Sequence, residues 1–174
     1  YFNMNESLLS EDIKCWGTKL GFQQIGITTT ALEEDETYLI NWLEQGRHGA
    51  MSYMESHGTK RSRPQDLVPG TLSVISVRMD YMPPSSNHPM KVLNNNKLAY
   101  ISRYAMGRDY HKLMRQRLQK LANKIESKVG DFGYRCFVDS APVLEKALAR
   151  NAGLGWIGKH SNLINPKAGS WFFL

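Results

Sequence analysis

The sequence predicts a single globular domain of the α+β class, or of the closely similar α/β class. Helix-like and strand-like stretches alternate along the 174 residues, apolar residues make up 41% of the chain, and no internal repeat or linker interrupts the pattern. A chain of this length forms one ordinary domain and can bury a substantial core. We therefore expect one sheet flanked by helices.

The first half of the chain predicts three helices and two strands. Apolar residues three or four positions apart indicate helices, and apolar residues that alternate with polar ones indicate strands. Gly21 ends the first helix, and Thr30 is a candidate cap for the second, whose buried face would carry Leu39, Trp42 and Leu43. The predicted elements are a helix over 5–20, a strand over 24–28, a helix over 30–45, a short helix over 50–55 and a strand over 72–79.

The clearest helix lies in the second half of the chain, over 109–129. Met114, Leu121 and Ile125 belong to an apolar stripe at helical spacing, and His111 falls on the same stripe, which favours a buried core histidine. Two basic stripes are either solvated or face nucleic acid; they are Arg108, Lys112 and Arg115, and Arg117, Lys120 and Lys124. The remaining predictions are a loop over 81–96, strands over 98–104 and 136–138, and a helix after Asp139.

Charge and cysteine content narrow the class of protein. The formal net charge of +6 favours an anionic partner such as nucleic acid, although an ordinary basic protein has the same balance. The two cysteines, Cys15 and Cys136, form neither a disulfide framework nor a metal-binding pair, and they indicate a cytoplasmic protein. No apolar run approaches the roughly 20 residues of a membrane helix, so no membrane partner is expected. Residues 1–3, before Met4, are interpreted as an expression scar.

Asp139 is the best single candidate for a catalytic residue. It is predicted to lie between the end of a strand and the start of a helix, where open α/β sheets place their ligands. The structural alternative is a helix N-cap. A helix N-terminus favours the carboxylate form, whereas a general acid has to hold its proton, so a large ligand would have to cover the carboxyl group.

Two further stretches leave alternatives open. Gly153, Gly155 and Gly158 follow a helix rather than a strand, which argues against a dinucleotide fingerprint. These glycines would instead let the backbone pass close to a large flat ligand or to another strand. The basic run over 60–64 is either a solvated loop or an anion clamp built on arginine donors.

The segment from Asp139 to Leu174 has the sequence D-S-A-P-V-L-E-K-A-L-A-R-N-A-G-L-G-W-I-G-K-H-S-N-L-I-N-P-K-A-G-S-W-F-F-L. It resembles the corresponding segment of the cobalamin-dependent epoxyqueuosine reductases. Supporting motifs are H-G-A-M-S-Y-M from His48, K-R-S-R-P from Lys60 and G-R-D-Y-H from Gly107, so the resemblance covers nearly the whole chain in the family's order. The chain stops within an apolar run, and we interpret residues 4–174 as the family's cobalamin-binding catalytic domain, cut before a ferredoxin-like domain.

The resemblance implies a reaction and its cofactors. The family reduces epoxyqueuosine to queuosine in the anticodon loop of tRNA, with cobalamin and two 4Fe-4S clusters whose ligands are not in this chain. It implies a nitroreductase-like mixed sheet, tRNA carrying epoxyqueuosine and an external electron donor as partners, and a monomer. Asp139 matches the family's proposed proton donor. The positions expected to contact the corrin are Arg61, Ser102, Asp139, His160, Leu163 and Leu174, with Trp156 and Lys159 lining the site. No metal ligand is predicted in this chain.

Three alternatives remain open at this point. The chain could be a non-catalytic cobalamin-binding or trafficking module, or a flavin-dependent enzyme of the nitroreductase-like fold. An RNA-binding adaptor would account for the basic stripes but not for the aromatic and glycine-rich C-terminal segment. A visible spectrum after the addition of cobalamin or flavin separates the first two from each other.

Overall fold

The computed structural model describes residues 4–82 and 87–174. Residues 1–3 and the prolines at 83 and 84 of the predicted loop lie outside the described residues. The helices are α1 (Met4–Lys19), α2 (Glu33–Glu44), α3 (Pro64–Leu67), α4 (Pro89–Leu93), α5 (Tyr110–Val129) and α6 (Glu145–Asn151). The strands are β1 (Gln24–Thr28), β2 (Val74–Asp80), β3 (Trp156–Ile157), β4 (Leu163–Ile164) and β5 (Phe172–Phe173), and 3₁₀ turns lie at Ser52–Met54, Gly58–Arg61 and Arg103–Ala105.

The strands form two small sheets. β2 lies between β1 and β5 in a three-stranded sheet, in which Ile25 is opposite Val77 and Asp80 is opposite Phe172. β3 and β4 form a separate pair, with Trp156 opposite Ile164. The α+β class is therefore confirmed, but all strand pairs in the described ranges are antiparallel, where a mixed sheet was expected.

The core lies between the larger sheet and the two long helices. Phe22, Met114 and Val138 are almost fully buried there, and they pack with Ile13 of α1 and Val77 of β2 in one apolar cluster. α6 packs against the other side of the same strands. Two smaller clusters, around Leu148 and Leu154, lie beside α6, so burial on both sides of the sheet fixes where residues 139–174 can run.

Several elements match their sequence predictions closely. The helix predicted over 5–20 is α1, the strand over 24–28 is β1, and the helix over 109–129 is α5. The side chain of Asp109 caps α5 by accepting a hydrogen bond from the backbone N–H of His111. In these segments, the apolar residues that set the periodicity lie on the face that is buried in the fold.

Two predicted strands are wrong. Residues 98–104 form no ladder, and they lead through Ser102 into the 3₁₀ turn Arg103–Ala105. Leu98, Ile101 and Tyr104 are all more than half exposed, so these apolar side chains do not form the buried face of a strand. Residues 136–138 form no strand, and only Val138 is buried among them.

The second helix differs at its start and on its inner face. α2 begins at Glu33 without a side-chain cap, so Thr30 does not cap it. Leu39, Trp42 and Leu43 are only half-buried. α2 is held instead by polar contacts, because Asp35 forms a two-pronged ion pair with Arg150 of α6, with Nη2–Oδ2 and Nη1–Oδ1 distances of 2.8 and 3.1 Å. The short helix expected over 50–55 is the 3₁₀ turn Ser52–Met54.

The basic run over 60–64 binds an anion of its own chain. Arg63 donates to both carboxylate oxygens of Glu36, at 2.9 and 2.7 Å. The Ser62 hydroxyl donates to Oε2 of the same carboxylate at 2.5 Å. Arg61 donates to the backbone carbonyls of Met54 and Tyr53. Part of the predicted anion clamp is therefore an internal tie between α2 and this loop.

The Glu36 tie makes stability depend on pH in the acid range. The hydrogen bonds from Arg63 and then Ser62 lower the pKa of Glu36 from 4.5 to about 2. A carboxyl whose pKa is lower in the folded state stabilises the fold above its unfolded pKa and loses that contribution as the pH falls towards the folded value. We expect Glu36→Gln to lower the melting temperature at neutral pH, and the difference from the parent chain to shrink between pH 4.5 and about 2. Thermal melts over that range measure it; a difference that stays constant with pH contradicts the assignment.

Candidate functional site

An open cleft of roughly 250 Å³ lies where the start of α5, the start of α6 and the strands β4 and β5 meet. Its lining contains both apolar or aromatic residues and polar residues. The apolar and aromatic lining residues are Tyr81, Tyr104, Tyr110, Leu163, Phe172, Phe173 and Leu174. The polar lining residues are Asp139, Glu145, Lys146, Asn162 and Ser170. Such a cleft suits a flat apolar ligand with polar groups at its edge.

Asp139 lies in this cleft on a strained turn. Its φ of 54° is in the left-handed region, which aspartate tolerates better than most residues but which is uncommon outside glycine. The residue neither ends a paired strand nor caps a helix, because α6 begins six residues later, after Leu144. The predicted placement of Asp139 is corrected accordingly. The turn and the contacts of its side chain with Tyr110 and His111 place Asp139 in the cleft.

The first turn of α5 supplies those partners. The Tyr110 hydroxyl donates a hydrogen bond to Oδ2 of Asp139. The His111 ring lies between two carboxylates, with Nδ1 3.1 Å from Oδ1 of Asp109 and Nε2 3.5 Å from Oδ2 of Asp139. The His111 side chain is 46% exposed, so it is a site residue rather than the buried core histidine that its spacing favoured.

Stacked rings hold this turn of α5 against the sheet. The Tyr110 ring stacks on Phe173 of β5, with centroids 3.8 Å apart, and on the other side lies 4.0 Å from the His111 ring. Burial, followed by the hydrogen bond to Asp139, raises the pKa of Tyr110. Tyr110 therefore stays a hydrogen-bond donor, and the stack fixes the direction from which it approaches Asp139.

Glu145 brings a second carboxyl group to the cleft. It is the first residue of α6 and lines the cleft together with Asp139. Burial and the negative charge of Asp139 raise the pKa of Glu145 from 4.5 to about 7, against the opposing effect of the Asp139 backbone N–H. Glu145 can therefore carry a proton at neutral pH. The neighbouring Lys146 is engaged elsewhere, since its ammonium group donates to the Ser161 carbonyl at 2.8 Å.

The predicted site residues divide into two groups. Asp139, Leu163 and Leu174 line the cleft together. Ser102 is exposed and lies two residues before the cleft residue Tyr104. The Arg61 guanidinium binds loop carbonyls, while the Arg61 carbonyl accepts the backbone N–H of Leu144 at 2.9 Å, directly before Glu145.

Trp156, Lys159 and His160 are exposed and do not line the cleft. His160 connects to it indirectly, because its Nε2 lies 3.4 Å from the hydroxyl of Ser170. Trp156 is half exposed on β3, the strand paired with β4. All three residues lie in or beside the small β3–β4 sheet, and Leu163 of β4 lines the cleft.

The glycines of the 153–158 stretch serve strand packing. A Cβ atom added at Gly155 would lie 2.1 Å from the carbonyl oxygen of Ile164, and one added at Gly158 would lie 2.6 Å from the Ile164 Cδ1. Of the two alternatives from the sequence, the close approach of another strand is therefore the one observed at these two positions. Gly153 instead ends α6 with a φ of 79°.

Sequence reasoning missed Tyr110, Glu145 and the roles of His111 and Phe173. A partial signal existed for three of them. Tyr110 and His111 follow Asp109, a helix-capping residue, so both belong to the first turn of a helix. The backbone N–H groups of such a turn have no partners within the helix, so polar residues gather there. Glu145 stands next to the apolar residues that predicted the face α6 buries, which places a carboxyl at the margin of the core. Nothing local identifies Phe173 as their stacking partner.

Within residues 4–82 and 87–174, no cluster of three or more histidine, cysteine or acidic side chains is arranged to hold a metal ion. Over the same residues, none of the helices combines the length and the apolar character needed to span a bilayer.

The fold and the cleft define a small α+β domain whose cleft is lined by two carboxyl groups, those of Asp139 and Glu145. A family described as "Epoxyqueuosine reductase QueG, DUF1730" matches residues 61–140. An epoxyqueuosine reductase of Pseudomonas aeruginosa is 61% identical over 166 residues, which are 95% of this chain and 46% of that protein. The epoxyqueuosine reductase of Escherichia coli is 55% identical over 166 residues, or 95% of this chain and 44% of that protein.

Solved structures agree in fold. The structure of epoxyqueuosine reductase from Streptococcus thermophilus has a TM-score of 0.79 at 25% identity and covers 94% of this chain and 44% of its own. A crystal structure of epoxyqueuosine reductase with an epoxyqueuosine-modified tRNA stem loop has a TM-score of 0.79 at 23% identity, over 96% of this chain and 44% of its own. The chain is thus similar to epoxyqueuosine reductases along nearly its whole length, and it spans about half the length of the curated relatives it matches.

Proposed function

We propose that this chain is the substrate-protonating domain of an epoxyqueuosine reductase, which converts epoxyqueuosine to queuosine in tRNA. The observation that carries the proposal is the held carboxyl of Asp139: Tyr110 donates to it, His111 flanks it, and it opens on a cleft with an aromatic wall. The relative with 61% identity supports the same assignment. A general acid needs a positioned carboxyl within reach of the substrate oxygen, and this cleft provides one.

The residues present fit one face of a corrin. The cleft of roughly 250 Å³ is too small to enclose a whole corrin, but its aromatic residues would lie against a flat ring, and its polar residues would meet amide groups of the cofactor. Leu163, Leu174 and Asp139 would contact the cofactor directly, with Ser102 and His160 at the margin. Cobalamin, when bound, supplies low-valent cobalt as the source of electrons.

The two 4Fe-4S clusters require ligands from elsewhere in the whole protein. Such clusters are held by groups of four thiolates, and this chain has two cysteines, of which Cys15 is exposed and Cys136 half-buried. We propose that the clusters and the contact with the external electron donor belong to the rest of the enzyme.

Within this chain, Asp139 donates a proton to the oxygen that leaves the epoxide. Tyr110 and His111 hold the carboxyl towards the cleft, and the stack of Tyr110 on Phe173 keeps that orientation. The strained backbone of Asp139 is consistent with a residue whose position is set by function rather than by local preference.

The tRNA contact is proposed for the basic stripe of Arg108, Lys112 and Arg115. All three are exposed, and the stripe begins beside Asp109 at the cleft end of α5. The other stripe is less suitable, because Arg117 donates to the Gly21 carbonyl at 3.0 Å and is only partly exposed. Phosphate contacts by the first stripe would make binding of the tRNA strongly salt-dependent.

The test uses the full-length enzyme that contains this chain. We expect bound cobalamin to give a visible corrin spectrum, and reduced enzyme with epoxyqueuosine-containing tRNA to yield a nucleoside lighter by one oxygen atom, measured by mass spectrometry. A corrin spectrum with no change of the nucleoside overturns the enzymatic proposal in favour of a non-catalytic cobalamin module. A flavin spectrum with no cobalamin binding overturns the cofactor.

A further inference from the structure

The proposed reaction consumes two protons. Conversion of an epoxide to a carbon–carbon double bond breaks both C–O bonds, takes up two electrons and two protons, and releases the oxygen as water. The electrons come from the reduced cobalt corrin of the proposed function, on which this inference rests. Asp139 can hold only one of the protons, so the site needs a second proton source within reach of Asp139.

We infer that Glu145 supplies the second proton, and that it does so through Asp139. Asp139 and Glu145 line the same cleft, and the charge of Asp139 acts on the Glu145 carboxyl, so the two carboxyl groups belong to one local arrangement. Asp139 first protonates the oxygen as one C–O bond breaks. The acid proton of Glu145 then passes to the Asp139 carboxylate, which protonates the oxygen again as it leaves as water, and Glu145 remains as a carboxylate.

Electrostatics supports this order of transfer. Burial and the charge of Asp139 raise the pKa of Glu145 to about 7, so Glu145 holds a proton near neutral pH while its partner is charged. Pairs of carboxyl groups whose proton affinities are set apart by their surroundings are typical of acid–base sites. Glu145 acts through Asp139 and is therefore a positioning and proton-supplying residue.

Besides Asp139, which receives the proton, four other titratable residues line the cleft with Glu145: Tyr81, Tyr104, Tyr110 and Lys146. Burial raises the pKa of Tyr81 and Tyr110 above the ordinary tyrosine value, so both hold their protons more tightly at neutral pH. Lys146 donates to the Ser161 carbonyl and to Oδ1 of Asn162. His111 lies 3.5 Å from Asp139 between two carboxylates and remains the competing donor that the experiment has to exclude.

The first measurement does not depend on activity. Infrared difference spectra between the full-length enzyme and its Glu145→Gln variant, recorded against pH, are expected to contain one protonated carboxyl band that disappears with a midpoint near 7. Glu44→Gln is the matched control, because Glu44 is an exposed glutamate near the end of α2 and should give no such band. Absence of a neutral-range carboxyl band in the Glu145 difference spectrum overturns the inference.

The second measurement is the pH profile of turnover. We expect Glu145→Gln to lower kcat roughly 10- to 100-fold with an unchanged KM for tRNA, and to remove the fall in kcat above neutral pH. Glu145→Asp should restore part of kcat and of the pH dependence. A pH dependence that persists in Glu145→Gln but is lost in His111→Gln assigns the proton to His111 and overturns the inference. An inactive parent enzyme overturns the proposed function instead, so the two failures are distinguishable.

Discussion

Asp139→Asn in the full-length enzyme is expected to lower the turnover of epoxyqueuosine-containing tRNA by roughly 10²- to 10⁴-fold, the range of a lost general acid. Asparagine has the same size, accepts the hydrogen bond from Tyr110 and tolerates the left-handed φ of 54° at this turn. It has no acidic proton to give. The fold and the corrin spectrum should therefore be retained, so that loss of turnover reports on chemistry.

The matched control is Asp131→Asn, which makes the same change at an exposed turn after α5. Single-turnover rates measured by mass spectrometry of the nucleoside, together with the visible spectrum of each variant, give the comparison. If Asp139→Asn turns over as fast as Asp131→Asn, the carboxyl of Asp139 is not the proton donor.

Gly155→Ala is expected to destabilise the chain by about 1–3 kcal/mol or more, the range found when a well-packed interior is overfilled. The added Cβ atom would lie 2.1 Å from the Ile164 carbonyl oxygen, and that atom is backbone and cannot turn aside. β3 and β4 would have to separate, and the neighbouring cleft residue Leu163 would move with them. Weaker binding of cobalamin should accompany the loss of stability.

Gly133→Ala provides the control, because Gly133 has no atom within 4 Å of the added Cβ position and has no positive φ. Urea unfolding of both variants, followed by circular dichroism, gives the free energies of unfolding. Equal values for the two variants would show that the strand pair adjusts to the extra methyl group, against the expectation.

Local sequence patterns were sufficient for the elements that face one continuous apolar core. The periodicity of Met114, Leu121 and Ile125 predicted α5, because their helical face is the one that the sheet covers. The same method failed for residues 98–104, where alternating apolar residues lie at the surface. An alternating pattern indicates a strand only if another strand pairs with it, and pairing is a tertiary event.

The site was predictable only in part. Asp139 was identified as the catalytic candidate, although its placement at a strand end and helix start was wrong. His111 was expected in the core because it shares a stripe with Met114, but its ring lies in the first turn of α5, where it is 46% exposed and contacts Asp109 and Asp139. The roles carried over to Arg61, Ser102, Trp156, Lys159 and His160 remain predictions that the corrin-binding experiment can test.

The sequence by itself determined the α+β class, the long helices and the strands β1 and β2, because these depend on local periodicity. It also named Asp139 as the catalytic candidate, which stays a prediction. Only the tertiary structure decided what surrounds Asp139. Tyr110, Glu145 and Phe173 come from separate elements, and their contacts arise from packing α5, α6 and β5 around one cleft. The proton affinity of Glu145 follows from that packing, since burial and a neighbouring charge are properties of the fold rather than of the residue.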